Sequence, residues 1–341
     1  MATRNPERLD DTCGPVSMGR SPTFPFAQWR GWDEHRTVYF DEGRGPALVF
    51  VHGLGGNVTH WEFVARELAR DHRVIGLDLV GFGATRKPWV DYTVDMLRDH
   101  LLEFLASRGI RRATLLGHSM GGTVCLAAAL ARPDLVEGLV LVGAAGLGPL
   151  PGWMKVAGAL MLRRRPLFHA LLHVHGFILD NVFVDRPEVN PYVRHFRGAS
   201  LQDAPGFPHL RDFARVSCSI CRDILGRDYS PHLPELSMPV LAIWGEADRL
   251  VAFPSVKAAL TRIPRLRAFG MAQTGHMPMI ERPPLVTGMV RDFLAEEVYA
   301  GAGTGSDAGG GRGRGTGPRT AEAGLAGLHR TRLAQERTLP A

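Results

Sequence analysis

Short runs of apolar residues alternate with longer amphipathic segments along most of the chain. The apolar runs, which predict strands, lie at residues 37–40, 47–52, 73–77, 113–116, 138–143, 239–244 and 265–269. Segments with helical spacing lie at residues 58–70, 93–108, 121–132, 254–262 and 283–298. Strands that are apolar throughout and alternate with helices are typical of a parallel sheet covered on both faces. We therefore predict an α/β fold.

The regular alternation is interrupted once and stops before the C-terminus. Residues 150–232 contain helical material without a strand pattern, which predicts a helical cap inserted between two strands of one sheet. The core then consists of residues 28–149 and 233–299. Residues 1–27 are polar and predict a flexible arm, whereas the Gly- and Arg-rich residues 300–341 bury too little apolar surface to fold and predict a disordered tail.

The charge of the chain does not indicate a nucleic-acid partner. The formal net charge is +6, and half of this excess comes from six arginines against three acidic residues after residue 299. The rest of the chain lacks a dense basic and aromatic pattern.

The N-terminus has no apolar stretch typical of a signal peptide, and prolines and glycines interrupt the apolar residues 138–162. We expect a cytoplasmic protein without stable membrane insertion.

Cysteine and histidine spacing does not predict a metal site. Cys218 and Cys221 form a lone CxxC without a second pair, and four cysteines show no disulfide pattern. His169 and His173 are four residues apart, but no third ligand completes a site. We therefore expect no metal ion.

A candidate nucleophile lies between a predicted strand and a predicted helix. The sequence Gly-His-Ser-Met-Gly at residues 117–121 has the G-x-S-x-G pattern of a nucleophile elbow. A strand that turns sharply into a helix holds the serine in a strained conformation, and the glycines leave room for this turn. The N-terminus of the helix favours negative charge. Ser119 is therefore the predicted nucleophile.

A serine hydroxyl needs a base, and the base needs an acid that orients it. His276 lies in a loop between the last predicted strand and the last helix, at the carboxyl edge of the sheet. Asp248 follows the strand at residues 239–244, and Glu246 is the alternative acid. Ser119, Asp248 and His276 also follow one another in the order typical of enzymes with this elbow.

The oxyanion formed during acyl transfer needs two backbone donors. We predict the N–H of Met120, directly after the nucleophile, and the N–H of Leu54, in the glycine-rich loop after the strand at residues 47–52. The residues predicted to border the substrate pocket are His52, Gly53, His118, Trp153, Phe177 and Met277. For His52 we expect mainly hydrogen bonds that brace this loop, without a part in the chemistry.

Five motifs resemble, in order, those of the α/β-hydrolase superfamily. They begin at His52 (His-Gly-Leu-Gly-Gly), Asp78 (Asp-Leu-Val-Gly-Phe-Gly), Gly117 (Gly-His-Ser-Met-Gly-Gly), Trp244 (Trp-Gly-Glu-Ala-Asp) and Gly275 (Gly-His). The resemblance covers roughly residues 37–298 and is to the branch of capped serine esterases and C–C hydrolases. It implies the α/β-hydrolase fold, a mostly parallel eight-stranded sheet with helices on both faces and a helical cap. It also implies acyl-enzyme chemistry that requires neither a metal ion nor an organic cofactor.

The resemblance also separates candidate activities. Haloalkane dehalogenases and epoxide hydrolases of this fold carry aspartate at the position of Ser119. The C–C hydrolases of meta-cleavage products typically carry tryptophan soon after the catalytic histidine, whereas Met277 follows His276 here. We therefore predict hydrolysis of a carboxylic ester, lactone or thioester of a mainly apolar small molecule. C–C cleavage or acyl transfer by the same triad, and a ligand receptor without catalytic activity, are the alternatives.

Overall fold

The computed structural model describes residues 30–32, 36–148, 182–202 and 210–300. The predicted arm, the tail from residue 301 onward and the first part of the predicted cap lie outside the described residues. The predicted pocket residues Trp153 and Phe177 lie there as well.

One eight-stranded sheet organises the described residues. Its strands are Arg30–Trp32 (β1), Thr37–Glu42 (β2), Ala47–Val51 (β3), Arg73–Leu77 (β4), Ala113–His118 (β5), Val136–Val142 (β6), Val240–Gly245 (β7) and Leu266–Met271 (β8). The strand order is β1-β2-β4-β3-β5-β6-β7-β8. β2 pairs antiparallel with β1 and β4, and every other neighbouring pair is parallel. The mostly parallel sheet confirms the predicted fold class.

Helices connect the strands and cover both faces of the sheet. They are Glu62–Leu68 (α1), Val94–Ser107 (α2), Met120–Ala131 (α3), Pro191–Gln202 (α4), Leu210–Gly226 (α5), Phe253–Leu260 (α6), Pro278–Glu281 (α7) and Pro283–Phe293 (α8). Short 3-10 helices span Val58–Trp61 and Ser230–Glu235. Along β3, Leu48 and Phe50 pack in the core that contains α1 and α8, whereas Val49 and Val51 pack in the core that contains α2, α3 and α6. Side chains alternate across a strand, so a continuous apolar run faces two cores.

Two helical segments differ from the predicted continuous helices. The segment predicted as one helix at residues 58–70 begins as the 3-10 helix Val58–Trp61, in which the Asn57 side chain accepts a hydrogen bond from Thr59 N–H at 2.9 Å. The last predicted helix, at residues 283–298, is α-helical only as far as the end of α8 and continues as a π-helical turn, Leu294–Val298. Local hydrogen bonds at helix ends produce both changes without altering the apolar spacing.

α4 and α5 lie between β6 and β7 in sequence, within the predicted cap. The His195 ring on α4 lies 3.2 Å from the carboxylate of Glu62 on α1, and Phe63 packs on Tyr192. α5 is fastened to the segment before α2, where its Ser219 hydroxyl accepts a hydrogen bond from Tyr92 N–H at 2.8 Å. Both helices are thus tied to the connections that leave the carboxyl ends of β3 and β4. In the described part of the chain, no helix has the length and apolar character needed to span a membrane.

Candidate active site

Ser119 lies in the sharp turn between β5 and α3. Its φ of 52° and ψ of −118° are rare for a residue with a side chain, and such a conformation costs about 1–3 kcal/mol. The Ser119 N–H donates to the carbonyl of Val142 on β6 at 2.9 Å, which fastens the turn to the neighbouring strand. Strain of this kind persists only where the surrounding structure enforces it.

Three glycines let α3 lie close to the sheet behind this serine. A Cβ at Gly117 would lie 2.5 Å from the carbonyl oxygen of Gly121. A Cβ at Gly121 would lie 2.4 Å from the carbonyl oxygens of Val51 and His52, and one at Gly122 would lie 2.6 Å from Ala144 Cβ. These distances are too short for any side chain, so the close approach itself requires glycine.

Asp248 and His276 form a buried pair at the ends of β7 and β8. The Nδ1 atom of His276 lies 2.7 Å from Oδ2 of Asp248. The second carboxylate oxygen, Oδ1, accepts from the backbone N–H groups of Leu250 at 2.8 Å and Val251 at 2.9 Å. The Asp248 side chain is fully buried and the His276 side chain is 5% exposed. Because a carboxylate only accepts, Nδ1 of His276 carries the proton and Nε2 keeps its lone pair.

The loops that follow neighbouring strands converge on these residues. A Cβ at Gly53, in the loop after β3, would lie 3.2 Å from Ser119 Cβ. A Cβ at Gly143, directly after β6, would lie 3.3 Å from His276 Nδ1 and 3.4 Å from Asp248 Oδ2. The loop containing Gly53 therefore lies against the serine, and the end of β6 lies against the Asp–His pair. This convergence occurs at the carboxyl edge of the sheet, where ligands bind in open α/β folds.

Comparison with known proteins identifies the family of this fold. A family model described as alpha/beta hydrolase fold matches residues 46–173. The 2-hydroxymuconate semialdehyde hydrolase of Pseudomonas sp. is 31% identical over 268 residues, which cover 76% of this chain and 91% of that protein. The chain belongs to the α/β-hydrolase family.

Solved structures support the assignment of this α/β hydrolase. The enol-lactonase from Burkholderia xenovorans is 25% identical, with a TM-score of 0.64, over 76% of this chain and 97% of that chain. A thermophilic esterase from Thermogutta terrifontis has a TM-score of 0.66 over 79% of this chain and 99% of that chain, and its 23% identity is evidence of a shared fold alone. The predicted resemblance to esterases and C–C hydrolases of this superfamily is confirmed.

Three neutral histidines surround the candidate site of the hydrolase. Burial lowers the pKa of His52 to about 4 and that of His60 to about 3, and it holds the pKa of His118 well below its usual range. The rings of His118 and His276 lie 4.8 Å apart between centroids, and those of His60 and His118 lie 6.2 Å apart. At neutral pH these three imidazoles are therefore uncharged.

Hydrogen bonds fix the orientation of two of these rings. Nε2 of His52 accepts from Leu79 N–H at 3.0 Å, so its Nδ1 carries the proton and donates to the carbonyl of Gly53 at 2.8 Å. His52 is completely buried and joins the loops after β3 and β4. Nε2 of His118 donates to the carbonyl of His276 at 2.9 Å, which joins the elbow to the loop of the predicted base.

The structure distinguishes between the two acids proposed from the sequence. Asp248 is buried against His276, whereas Glu246 is exposed at the surface.

Of the backbone donors predicted for the oxyanion, Met120 is the first residue of α3, and Leu54 follows Gly53 in the loop that lies against Ser119. Met277, next to His276, is buried in the apolar core beside α8. Within the described residues, no three acidic, histidine or cysteine side chains are grouped to hold a metal ion.

Sequence reasoning missed His60 and Glu281. His60 packs edge-to-face on Phe196 of α4, and its ring lies against Gly56 in the loop after β3. Glu281 is 1% exposed and accepts a hydrogen bond from the N–H of Gly275, the residue before His276. No spacing rule singles out His60, but a glutamate five residues after the predicted base was a signal for Glu281.

Proposed function

We propose that this chain is a serine hydrolase that cleaves a carboxylic ester, lactone or thioester of a mainly apolar small molecule through an acyl-enzyme intermediate. The observation that carries the proposal is the strained Ser119 at the end of β5 together with the buried Asp248–His276 pair, joined at 2.7 Å. Among the described residues, Ser119 is one of only three with side chains that have positive φ, and it is the one at the candidate nucleophile position.

Acylation uses all three groups of this proposed triad. The hydroxyl oxygen of Ser119 attacks the carbonyl carbon while Nε2 of His276 takes the hydroxyl proton. The Asp248 carboxylate holds the proton on Nδ1 and stabilises the imidazolium that forms. The protonated histidine then donates to the leaving oxygen or sulfur as the tetrahedral intermediate collapses, which leaves an acyl ester on Ser119.

Deacylation repeats these steps with water as the nucleophile. His276 takes a proton from water, the resulting hydroxide attacks the acyl ester, and the Ser119 oxygen recovers the proton as the acid leaves. In both halves the N–H groups of Leu54 and Met120 donate to the negatively charged oxygen. Removal of one such donor typically costs about 10²–10³ in kcat.

The surroundings of the site support an apolar substrate. His60 and His118, beside His276, carry no charge at neutral pH, and His60 packs on Phe196 of α4. We further propose that residues 150–232 form a cap over this edge of the sheet. The contacts of α4 with Glu62 and Phe63 support this placement, because they hold α4 against the segment that follows the loop of the predicted oxyanion donor Leu54.

Hydrolysis of p-nitrophenyl esters of increasing acyl length tests this function. We expect turnover by the full chain with a preference for one range of acyl lengths, and no turnover by Ser119→Ala at equal concentration. A Ser119→Ala variant that is as active as the wild type would contradict the proposed mechanism.

A C–C hydrolase is the second candidate, favoured by the identity of 31% with the 2-hydroxymuconate semialdehyde hydrolase of Pseudomonas sp.. Such an enzyme cleaves a carbon–carbon bond beside a carbonyl group, and the same Ser119 and His276 would serve. Parallel assays with a vinylogous 1,5-diketone acid and with the p-nitrophenyl esters separate the two. Turnover of the diketone without turnover of any ester would favour the second candidate.

A further inference from the structure

The geometry points to Glu281 as a positioning residue for His276: its carboxylate joins the histidine loop to residues 182–185, so that the alignment of the base depends on the placement of this segment. The inference rests on the proposed function and deepens it, because residues 182–185 lead directly into α4. The placement of residues 182–202 would thereby be coupled to the alignment of the base.

The carboxylate of Glu281 accepts three backbone hydrogen bonds from two separate segments. Oε1 accepts from Gly275 N–H at 2.7 Å, on the side of the histidine loop. Oε2 accepts from Val184 N–H at 2.9 Å and Asp185 N–H at 3.2 Å, on the side that leads into α4. At 1% exposure, the carboxylate is shielded from water that could replace these donors.

A second contact holds the same two segments together beside the carboxylate. The N–H of His276 donates to the carbonyl of Val182 at 2.8 Å. A Cβ at Gly275 would lie 2.5 Å from that carbonyl oxygen and 2.9 Å from Glu281 Oε1. The backbone of the histidine loop therefore lies directly against residue 182, and the Glu281 carboxylate binds both segments beside this contact.

The segment that Glu281 holds continues as a braced unit into α4. The Asn190 side chain donates to the Glu281 carbonyl at 3.0 Å and to Asp185 Oδ2 at 2.7 Å, and Arg282 forms an ion pair with Asp185. The Asn190 side-chain oxygen also accepts from the N–H groups of the first turn of α4. α4 then carries Phe196 onto His60, so one chain of contacts runs from His276 to the far side of the candidate site.

Only a carboxylate satisfies this arrangement. Two carboxylate oxygens accept all three N–H groups, whereas glutamine offers one oxygen and turns an NH₂ group toward at least one backbone donor. Burial raises the pKa of Glu281, while the backbone donors and Arg282 favour the charged form. The conservative variant Glu281→Gln should therefore loosen one segment and keep the other, and Glu281→Ala should release both.

The test is the kinetics of fluorophosphonate inactivation of the full chain. Measured over a range of inhibitor concentrations, they give the maximal rate constant of inactivation and the inhibitor affinity as two separate values. We expect the rate constant to fall about 10-fold in Glu281→Gln and on the order of 100-fold in Glu281→Ala, with affinity changed little, because a small misplacement of the base slows the reaction and not binding. Glu62→Gln is the matched control. Glu62 is also buried and bonded to α4 through His195, and its carboxylate accepts from Arg66 and His195, which lie outside the histidine loop.

A spectroscopic readout separates failure of this inference from failure of the proposed function. The Nδ1 proton of His276, held between the ring and Asp248, should give the most downfield imidazole N–H resonance of ¹⁵N-histidine-labelled protein, and it should be absent in Asp248→Asn. We expect this resonance to shift or broaden in Glu281→Gln and to stay unchanged in Glu62→Gln. A wild type that does not react with the fluorophosphonate refutes the proposed function. The His276 resonance then still decides whether Glu281 positions the ring.

Two outcomes would overturn the inference. One is an unchanged resonance and a rate constant within twofold of the wild type in both folded Glu281 variants. The other is an equal loss in Glu62→Gln, which would show that general loosening of α4, and not the carboxylate beside Gly275, slows the reaction. Circular dichroism and thermal unfolding of each variant establish that it is folded before either readout is used.

Discussion

At the scale of single residues, hydrogen bonds hold His276 both at its ring and at its backbone. Asp248 uses one oxygen for two backbone N–H groups and the other for the imidazole. His118 donates to the His276 carbonyl, and Val182 accepts from the His276 N–H. The ring is therefore held from its side chain and from both sides of its peptide backbone, which leaves Nε2 as the atom free for chemistry.

Replacement of Asp248 by asparagine tests the tautomer in this account. The asparagine oxygen would still accept from Leu250 and Val251, so its NH₂ group would face Nδ1 of His276 and force the proton onto Nε2. We expect kcat for ester hydrolysis to fall on the order of 10⁴-fold while the protein stays folded. Glu246→Gln, an exposed acid in the same loop, is the control and should retain full activity. A comparable loss in Glu246→Gln would contradict the assignment.

At the scale of elements, the position of the candidate nucleophile depends on how closely α3 packs on the sheet. Gly121 lies so near the end of β3 that a methyl group would meet two backbone carbonyls, and backbone atoms cannot move aside as side chains can. The helix therefore packs against the sheet at the point where Ser119 begins the turn. The stability of the turn that carries Ser119 therefore depends on this contact.

The variant Gly121→Ala tests that packing. We expect it to lower the free energy of unfolding by about 1–3 kcal/mol, because overpacking forces the backbone apart, and to reduce ester hydrolysis by moving Ser119. Gly288→Ala is the matched control, since Gly288 lies within α8 with no atom within 4 Å of an added Cβ. It should raise stability by about 1 kcal/mol through helix propensity. Urea unfolding measures both, and equal effects of the two substitutions would refute the packing argument.

The sequence predicted those elements whose structure follows from local pattern. Apolar runs located β2 to β8, and the glycines around Ser119 located the elbow, because period and turn chemistry are local properties. β1 was missed, since three residues are too few to show a period. Glu281 was missed as a partner of residues 182–185, because a hydrogen bond across 97 positions leaves no trace in spacing. Asp248 and His276 could be selected as candidates because each lies in the loop that follows a strand.

At the scale of the whole molecule, buried titratable groups make stability depend on pH in opposite directions. His52 has a pKa lowered to about 4 from an ordinary value of 6.5, so its contribution to stability is present above pH 6.5 and is lost as pH falls through 4. Asp78, bonded to Val58 N–H and Ala84 N–H, has a pKa raised to about 6 by burial. Its contribution is present below its ordinary pKa of 3.8 and is lost as pH rises through 6.

Comparison of the wild type with His52→Asn isolates the histidine contribution. The difference in free energy of unfolding between the two proteins should shrink by about 3 kcal/mol as pH falls from 7 to 4, because the unfolded wild type protonates this imidazole while burial in the folded wild type resists its protonation. Asp78 is present in both proteins and cancels in the difference. Urea unfolding at each pH measures this, and parallel curves for the two proteins would show that folding does not shift the pKa of His52.

The central claim is that Ser119 is a nucleophile activated by His276 and Asp248, and labelling by a fluorophosphonate followed by peptide mass spectrometry tests it most directly. The account predicts one adduct on the peptide that contains Ser119, no adduct in Ser119→Ala, and much slower labelling in Asp248→Asn. A folded wild type that remains unlabelled, or a Ser119→Ala variant labelled as fast as the wild type, would contradict it.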